Sequence, residues 1–252
     1  MVGPAGQLCT GYSPSGCVCL CPRLEWRGHT VQPRPKTLLA WITGKDSAWS
    51  LHVLTERKEV DVVGLLTTVN SRYHRVSLHG VRAELLRVQA AAVGLPLVEV
   101  ALPDPCCNAE YEAAMSAALG RAKAEGVTAI AFGDLLLEDV RRYREERLAP
   151  AGITPLFPLW GQRELAADML AGGLRARLTS VDLKKLGRAF CGREYDRGLL
   201  EELPPSIDPS GENGEFHTFV YAGPMFRQAL RVSVRDVVER DGFAFADVVP
   251  GG

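Results

Sequence analysis

The sequence predicts an α/β protein: a parallel sheet with helices on both faces, followed by a smaller C-terminal α+β domain. Three observations carry this prediction. Short apolar runs near residues 37, 60, 97 and 127 are each followed by a stretch of helical character. The runs are continuously apolar, as strands buried on both faces of a parallel sheet must be. Beyond residue 203 the order changes to successive strands, with a hairpin signal between the last two.

Taken in order, Thr37–Ile42 is the first strand and should lie centrally. It ends at a Gly-containing turn, and a helix follows from Asp46 to about Arg57. Val60–Thr68 is the second strand, Leu78–Val93 a helix with Val81, Leu85, Leu86 and Val88 apolar, and Leu97–Leu102 the third strand. Glu110–Glu125 reads as a helix ended by Gly126, a position suited to left-handed backbone. Val127–Phe132 is the fourth strand, and these four are expected to be parallel. A domain boundary is expected near Pro150–Pro158, where Ala149-Pro150-Ala151-Gly152 breaks a helix. This gives an N-terminal domain over 36–152 and a C-terminal substrate domain over 153–252. Gly161–Leu170 and Val181–Leu203 read as helices, and Arg175–Ser180 as a fifth strand of the first sheet. Glu215–Tyr221, Leu230–Val238 and Phe243–Val249 read as strands, the last two joined at Asp241-Gly242.

Composition bounds the function. The 252 residues are 46% hydrophobic and 23% charged, which rules out wholesale disorder and allows one large or two small domains. A net charge of −1 leaves no electrostatic footprint for nucleic acid or an anionic membrane. No apolar run reaches the roughly 18 residues of a membrane span. Residues 1–35 are rich in Gly, Pro and Cys without periodicity and read as a disordered, dispensable extension lacking a secretory h-region. Its Cys17-x-Cys19-x-Cys21 run, followed by a lone His29, departs from the C-x2-C spacing of zinc ligands. Only Cys106, Cys107 and Cys191 fall in the remainder, a usage that suits a reducing, cytoplasmic location.

The first strand runs into Ile42-Thr43-Gly44-Lys45-Asp46-Ser47. Ligands of parallel sheets bind beyond the carboxyl ends of strands, and a Gly turn entering a helix presents backbone N–H groups to an anion. Lys45 adds a cation and Ser47 a hydroxyl. Leu39 stands where a Walker A loop has its first Gly, and Asp46 where Ser or Thr follows the Lys. The bland alternative is a Gly-Lys turn that merely leads into a helix.

Two further segments point to chemistry. Gly133-Asp134 sits at the end of the fourth strand, before a charged stretch containing Glu138 and Arg141. Glu212-Asn213-Gly214-Glu215-Phe216-His217-Thr218 gathers carboxylates, an amide, an imidazole and a hydroxyl. On an extended strand Glu215 and His217 share one face. Their proximity favours a site over a lone structural histidine.

The loop resembles the PP-loop, S-G-G-K-D-S, of ATP pyrophosphatases, with Ile42 for the first Ser and Thr43 for the first Gly. Together with G-D-x-x-x-E-D-x-R-x-Y-R-E from Gly133, P-L-F-P-L-W-G from Pro155 and G-E-N-G-E-F-H-T from Gly211, residues 36–249 resemble the diphthine–ammonia ligase family of adenine-nucleotide α-hydrolase-like proteins. The resemblance implies a Rossmann-like (HUP-type) fold and an AMP-forming amide ligase using ATP, Mg²⁺ and ammonia. It implies nucleotide contacts from Thr43, Gly44, Lys45, Asp46, Ser47, Gly133 and Asp134, with Asp46 toward Mg²⁺. Glu138 and Arg141 fall on the substrate side. Glu212, Asn213, Glu215 and His217 form the amidation pocket, where Glu215 or His217 takes a proton. The implied substrate is a protein carboxylate, on elongation factor 2 where the host makes diphthamide; a homo-oligomer is left open. Two other classes compete: a nucleotide-binding sensor without ligase chemistry, and a tRNA-modifying PP-loop enzyme, for which Cys106 and Cys107 would have to serve.

Overall fold

The computed structural model describes residues 33–77, 80–162 and 164–251. The readings made for residues 1–32, including the Cys17/Cys19/Cys21 run and His29, lie outside the described residues. In chain order the elements are β1 (Lys36–Ala40), α1 (Lys45–Arg57), β2 (Asp61–Asn70), β3 (Arg75–Val76), α2 (Ala83–Val93), β4 (Leu97–Leu102), α3 (Asn108–Ala124), β5 (Ala129–Ala131), α4 (Glu138–Leu148), β6 (Thr154–Leu156), α5 (Leu165–Ala171), β7 (Arg175–Asp182), α6 (Arg197–Glu202), β8 (Phe216–Ala222), β9 (Val232–Arg240) and β10 (Phe243–Pro250).

As the apolar runs require, β1 lies between β2 and β5 and is parallel to both. β4 is parallel to β2 and β6 to β5, while the two residues of β3 pair antiparallel with the end of β2. Successive side chains of these strands leave the sheet on opposite faces, so each strand feeds two cores. Leu38, Leu66 and Ile130 pack with Ala118, Leu119 and Ala122 of α3 and with Leu148 of α4. Their neighbours Leu39, Leu65 and Ala131 pack with Leu51 and Leu54 of α1 and Leu85 and Leu86 of α2. This is why the runs show no alternation: both faces are covered.

The C-terminal strands form a second, antiparallel sheet in the order β8-β7-β10-β9. Asp241 and Gly242 both take positive φ (53° and 82°), the two-residue hairpin turn expected between β9 and β10. Ala176, Leu178, Phe219, Val220 and Ala244 of this sheet join the core that contains Leu39 and α1. Arg75 and Arg82 pair with Asp247 of β10 at 3.1 and 2.7 Å, adding a polar seam.

Two sequence readings are corrected. β7 belongs to the antiparallel sheet, not to the parallel one. Its Arg175-Ala176-Arg177-Leu178 opening alternates outward arginines with fully buried apolar residues, as in a sheet with one wet face. The parallel sheet instead takes β6 at its edge, where Pro155 is tolerated because no central ladder needs its missing N–H. The stretch 181–203 is not one helix: β7 runs to Asp182, a 3₁₀ turn covers Arg188–Phe190, and only Arg197–Glu202 is α-helical. Gly192 at φ +85° marks the break.

Candidate active site

The carboxyl ends of β1 and β5, the first turn of α1 and the start of β8 enclose one cavity of about 190 Å³. Its wall includes Gly44, Lys45, Asp46, Ser47, Gly133 and Asp134, for which nucleotide contacts were expected, and Arg144 and Thr218, which fall in the quoted motifs without an expected contact.

The phosphate loop is built on Thr43. This residue adopts φ +68°, left-handed backbone that a β-branched side chain takes only under constraint. A Gly at this position would meet the same requirement without strain. Thr43 is fully buried, its hydroxyl donates to the Ile42 carbonyl, and it is absent from the cavity wall. The expected phosphate contact from its side chain is therefore not what the structure places there. The constraint comes from Gln89, also fully buried. Its amide nitrogen donates to the carbonyls of Thr43 (3.1 Å) and Val220, and its oxygen accepts from Trp41 Nε1 (2.9 Å). One side chain thus ties the loop to β8. Val220 N–H also donates to the Thr43 carbonyl (3.0 Å), and Thr218 Oγ1 accepts from Lys45 N–H (3.1 Å).

Lys45 is buried. Its Nζ bonds both Asp46 oxygens (2.7 and 2.9 Å) and donates to the Ser210 carbonyl. Burial raises the Asp46 carboxyl above its ordinary range, against the pull of Lys45. Ser47 Oγ donates to the Gly44 carbonyl at 3.0 Å. Gly133 lines the cavity, but its missing side chain chiefly admits the helix: a Cβ there would lie 2.9 Å from the Asp46 carbonyl carbon and 3.0 Å from Ser47 N.

Glu212 reaches the cavity and accepts from Leu135 N–H at 3.3 Å. Burial, then the Asp46 charge, push its carboxyl up to about 7, against Lys45 and the Leu135 N–H. His217 also lines the cavity, and burial, with Lys45 beside it, pushes its imidazole down to about 4. Glu215 does not share this position. β8 begins at Phe216, and Glu215 turns inward, accepting from Asp208 N–H (3.3 Å), Asn213 N–H (2.9 Å) and Asn213 Nδ2 (3.0 Å). Burial opposes its ionisation, yet these bonds outweigh that and hold it below its ordinary range. Glu215 is the staple of the 208–214 loop that presents Ser210 and Glu212. Asn213 is exposed and serves the same staple.

Glu138 is exposed in the first turn of α4, where a carboxylate suits the positive helix end. Arg141 stacks over Phe157 and Trp160 (5.0 and 4.8 Å to the ring centres) and pairs with Glu145 at 2.9 Å. Neither is on the cavity wall; Arg144, one turn on, is.

Comparison with known families now bears on this geometry. Residues 35–152 match the diphthamide synthase N-terminal domain, and residues 162–245 its C-terminal domain. The chain belongs to the diphthamide synthase family. Among curated proteins, diphthine–ammonia ligase of Danio rerio is 32% identical over 123 residues, covering 45% of this chain and 48% of the fish protein. The Homo sapiens protein of that name is 28% identical over 139 residues, 49% of each chain. That of Schizosaccharomyces pombe is 31% identical over 111 residues, 41% of this chain and 18% of the yeast protein. The chain spans half the length or less of these curated relatives. The two diphthamide synthase segments meet at the cavity: the first supplies the phosphate loop, Gly133, Asp134 and Arg144, the second Ser210, Glu212, His217 and Thr218. Among the described residues, no helix is long and apolar enough to cross a membrane.

Proposed function

We propose that this chain is an ATP-dependent ligase that activates a carboxylate as its acyl-adenylate and amidates it with ammonia. The observation that carries the reading is one cavity lined by both the Gly-Lys turn that starts α1 and the half-buried Glu212 carboxyl, which its surroundings push up to about 7. The substrate carboxylate attacks the α-phosphorus of ATP, and the bond to pyrophosphate breaks. Ammonia then adds to the acyl carbon, a proton leaves the nitrogen, and AMP departs as the amide forms. The relatives' name, diphthine–ammonia ligase, supports this class and suggests a protein-borne carboxylate as substrate.

The Gly44–Ser47 turn at the start of α1 binds the phosphates, helped by Lys45; Lys45 N–H is already occupied by Thr218, which fixes the loop for that task. Mg²⁺ fits as a guest of one carboxylate and the phosphates. Among the described residues no group of three or more His, Cys, Asp or Glu side chains forms a cage for a metal, and Mg²⁺ in nucleotide sites relies on one or two carboxylates, phosphate oxygens and water. Asp46 would hold it, and when bound it supplies charge against the pyrophosphate. Glu212, with a carboxyl near 7, is matched to accept the proton from the attacking nitrogen at neutral pH. His217, neutral in that range, offers hydrogen bonds instead of taking the proton. This moves the acid–base role from Glu215 and His217 to Glu212. The left-handed Thr43 bears on the sensor alternative: its backbone takes a conformation open to Gly, so the Thr side chain by itself gives no structural reason for lost chemistry.

The test is pyrophosphate release with Mg-ATP, ammonium and a panel of carboxylates, including diphthine-bearing elongation factor 2. Carboxylate-dependent release with matching AMP and amide supports the ligase. ATP binding without release for any carboxylate would favour the sensor.

A further inference from the structure

The charge balance of the cavity leaves one group unexplained. Its wall carries three carboxyls, Asp46, Asp134 and Glu212, and two cations, Lys45 and Arg144. An incoming carboxylate or phosphate is repelled by the acids unless a cation stands ready. Lys45, which stands on the phosphate side, is tied to Asp46 and the Ser210 carbonyl and is not free for a second anion. Arg144 is held differently. Its guanidinium lies over the Phe132 ring, 4.5 Å from the centre, and Nε approaches Asp134 Oδ2 at 3.3 Å. Among the described residues, its two terminal Nη groups make no hydrogen bond. A guanidinium fixed by stacking and by Nε, with its fork uncommitted on a cavity wall, is preorganised for a two-oxygen anion. It also stands on the β5–α4 side of the cavity, with Asp134 next to the Leu135 N–H that holds Glu212. The phosphate loop belongs to the β1–α1 side.

We propose that Arg144 is the substrate-carboxylate clamp: its Nη fork receives the carboxylate that is to be adenylated, while the α1 turn takes the phosphates. The proposal rests on the ligase reading for the identity of the anion and gives a role to a residue that the Gly133 motif contains but that the Glu138/Arg141 expectation passed over. Lys would replace it only in part, because an ammonium gives one point of contact without the fork.

The experiment compares wild type, Arg144→Ala, Arg144→Lys and, as a fold control, Arg147→Ala, whose guanidinium pairs with Glu112 on the outer surface. Mg-ATP affinity is measured by calorimetry and the KM for carboxylate by ATP–pyrophosphate exchange. Loss of charge-assisted bonds should raise that KM about 10- to 150-fold in Arg144→Ala. Mg-ATP affinity should stay near wild type, and Arg144→Lys should recover only part of the loss. A fall in Mg-ATP affinity with an unchanged carboxylate KM would assign Arg144 to phosphate and overturn the clamp, as would wild-type kinetics in Arg144→Ala. A second arm needs no turnover: millimolar acetate, added to Mg-ATP-saturated protein, should raise the thermal midpoint of wild type and Arg147→Ala but not of Arg144→Ala. Equal or absent protection in wild type and Arg144→Ala removes the clamp. Absent exchange with positive acetate protection removes the ligase reading and leaves the clamp.

Discussion

Glu212→Gln separates stability from chemistry at one position. The variant keeps the shape of the side chain and an oxygen for the Leu135 N–H, but it cannot ionise. In the wild type, burial lifts this carboxyl from its ordinary 4.5 to about 7. Fully buried, such a lift corresponds to about 3 kcal/mol. Glu212 keeps some solvent contact, and screening reduces the effect to about 1–2 kcal/mol. The sign follows from linkage. A raised carboxyl binds its proton more tightly when folded, so its favourable contribution is complete below 4.5 and is lost as pH climbs through 7. Near pH ~4 the wild type and Glu212→Gln should therefore unfold at similar temperatures. Near pH ~8 the variant should be more stable, by about 2–8 °C for a chain of this size. Amide formation should fall about 10²–10⁴-fold, and the wild-type rise in rate through pH ~7 should disappear. Thermal midpoints across pH and initial rates on the same samples give both readouts. A midpoint difference that is constant with pH would show that Glu212 is not ionising against its surroundings. An unchanged rate profile would take it out of the proton transfer.

Glu215→Gln should weaken the 208–214 loop by about 1–3 kcal/mol, the worth of hydrogen bonds to a charged group; because its folded carboxyl is depressed below 4.5, that contribution is present above 4.5 and fades as pH falls, so urea unfolding should show the gap closing in acid. Its rate should fall through misplacement, leaving the inflection near neutral pH where it was. Gly133→Ala places a methyl 2.9 Å from the backbone of Asp46, so denaturant unfolding should show a loss of about 1–3 kcal/mol together with weaker ATP binding. Gln89→Leu leaves Trp41 Nε1 and the Val220 carbonyl without their Gln89 partner and the Thr43 carbonyl with only the Val220 N–H, and should cost about 2–5 kcal/mol; a variant as stable as wild type would show that the loop and β8 hold without it.

The parallel sheet was legible because its signal is local. Each apolar run from 37 to 132 is long enough to be covered on both faces, and each is followed by a segment that can cover it. The Asp241-Gly242 turn was legible for the same reason, since two positive φ angles in a row demand those residue types. What was lost depended on partners distant in sequence. β7 pairs with β8 and β10, and its Arg-Ala-Arg-Leu alternation was outweighed by its position after a helix. β6 is three residues long and contains Pro155, so nothing in its own sequence marks it as a strand; it forms because β5 offers an open edge.

The candidate site divides along the same line. The Gly44–Ser47 turn was legible because Gly, Lys, Asp and Ser are consecutive, whereas the inward turn of Thr43 was not. The proline-rich 204–209 stretch and the two glycines at 211 and 214 forced a turn whose direction no spacing rule supplies. Period two put Glu215 beside His217 only on the premise that the strand had already begun. It begins one residue later, so Glu215 answers to the loop's N–H groups and Glu212, four residues before the strand, reaches the cavity. Gln89 lies in a helix whose other inward residues are apolar, and a lone buried amide there reads as packing until Thr43 and Val220 are seen at its ends. Arg144 was passed over for Arg141 because a helix of alternating charge offers no face to choose by; Phe132, just past the end of β5, makes the choice by stacking. The residues that sequence reasoning missed are thus those fixed by side-chain contacts that no spacing rule supplies, and one of them, Gln89, ties the phosphate loop to β8.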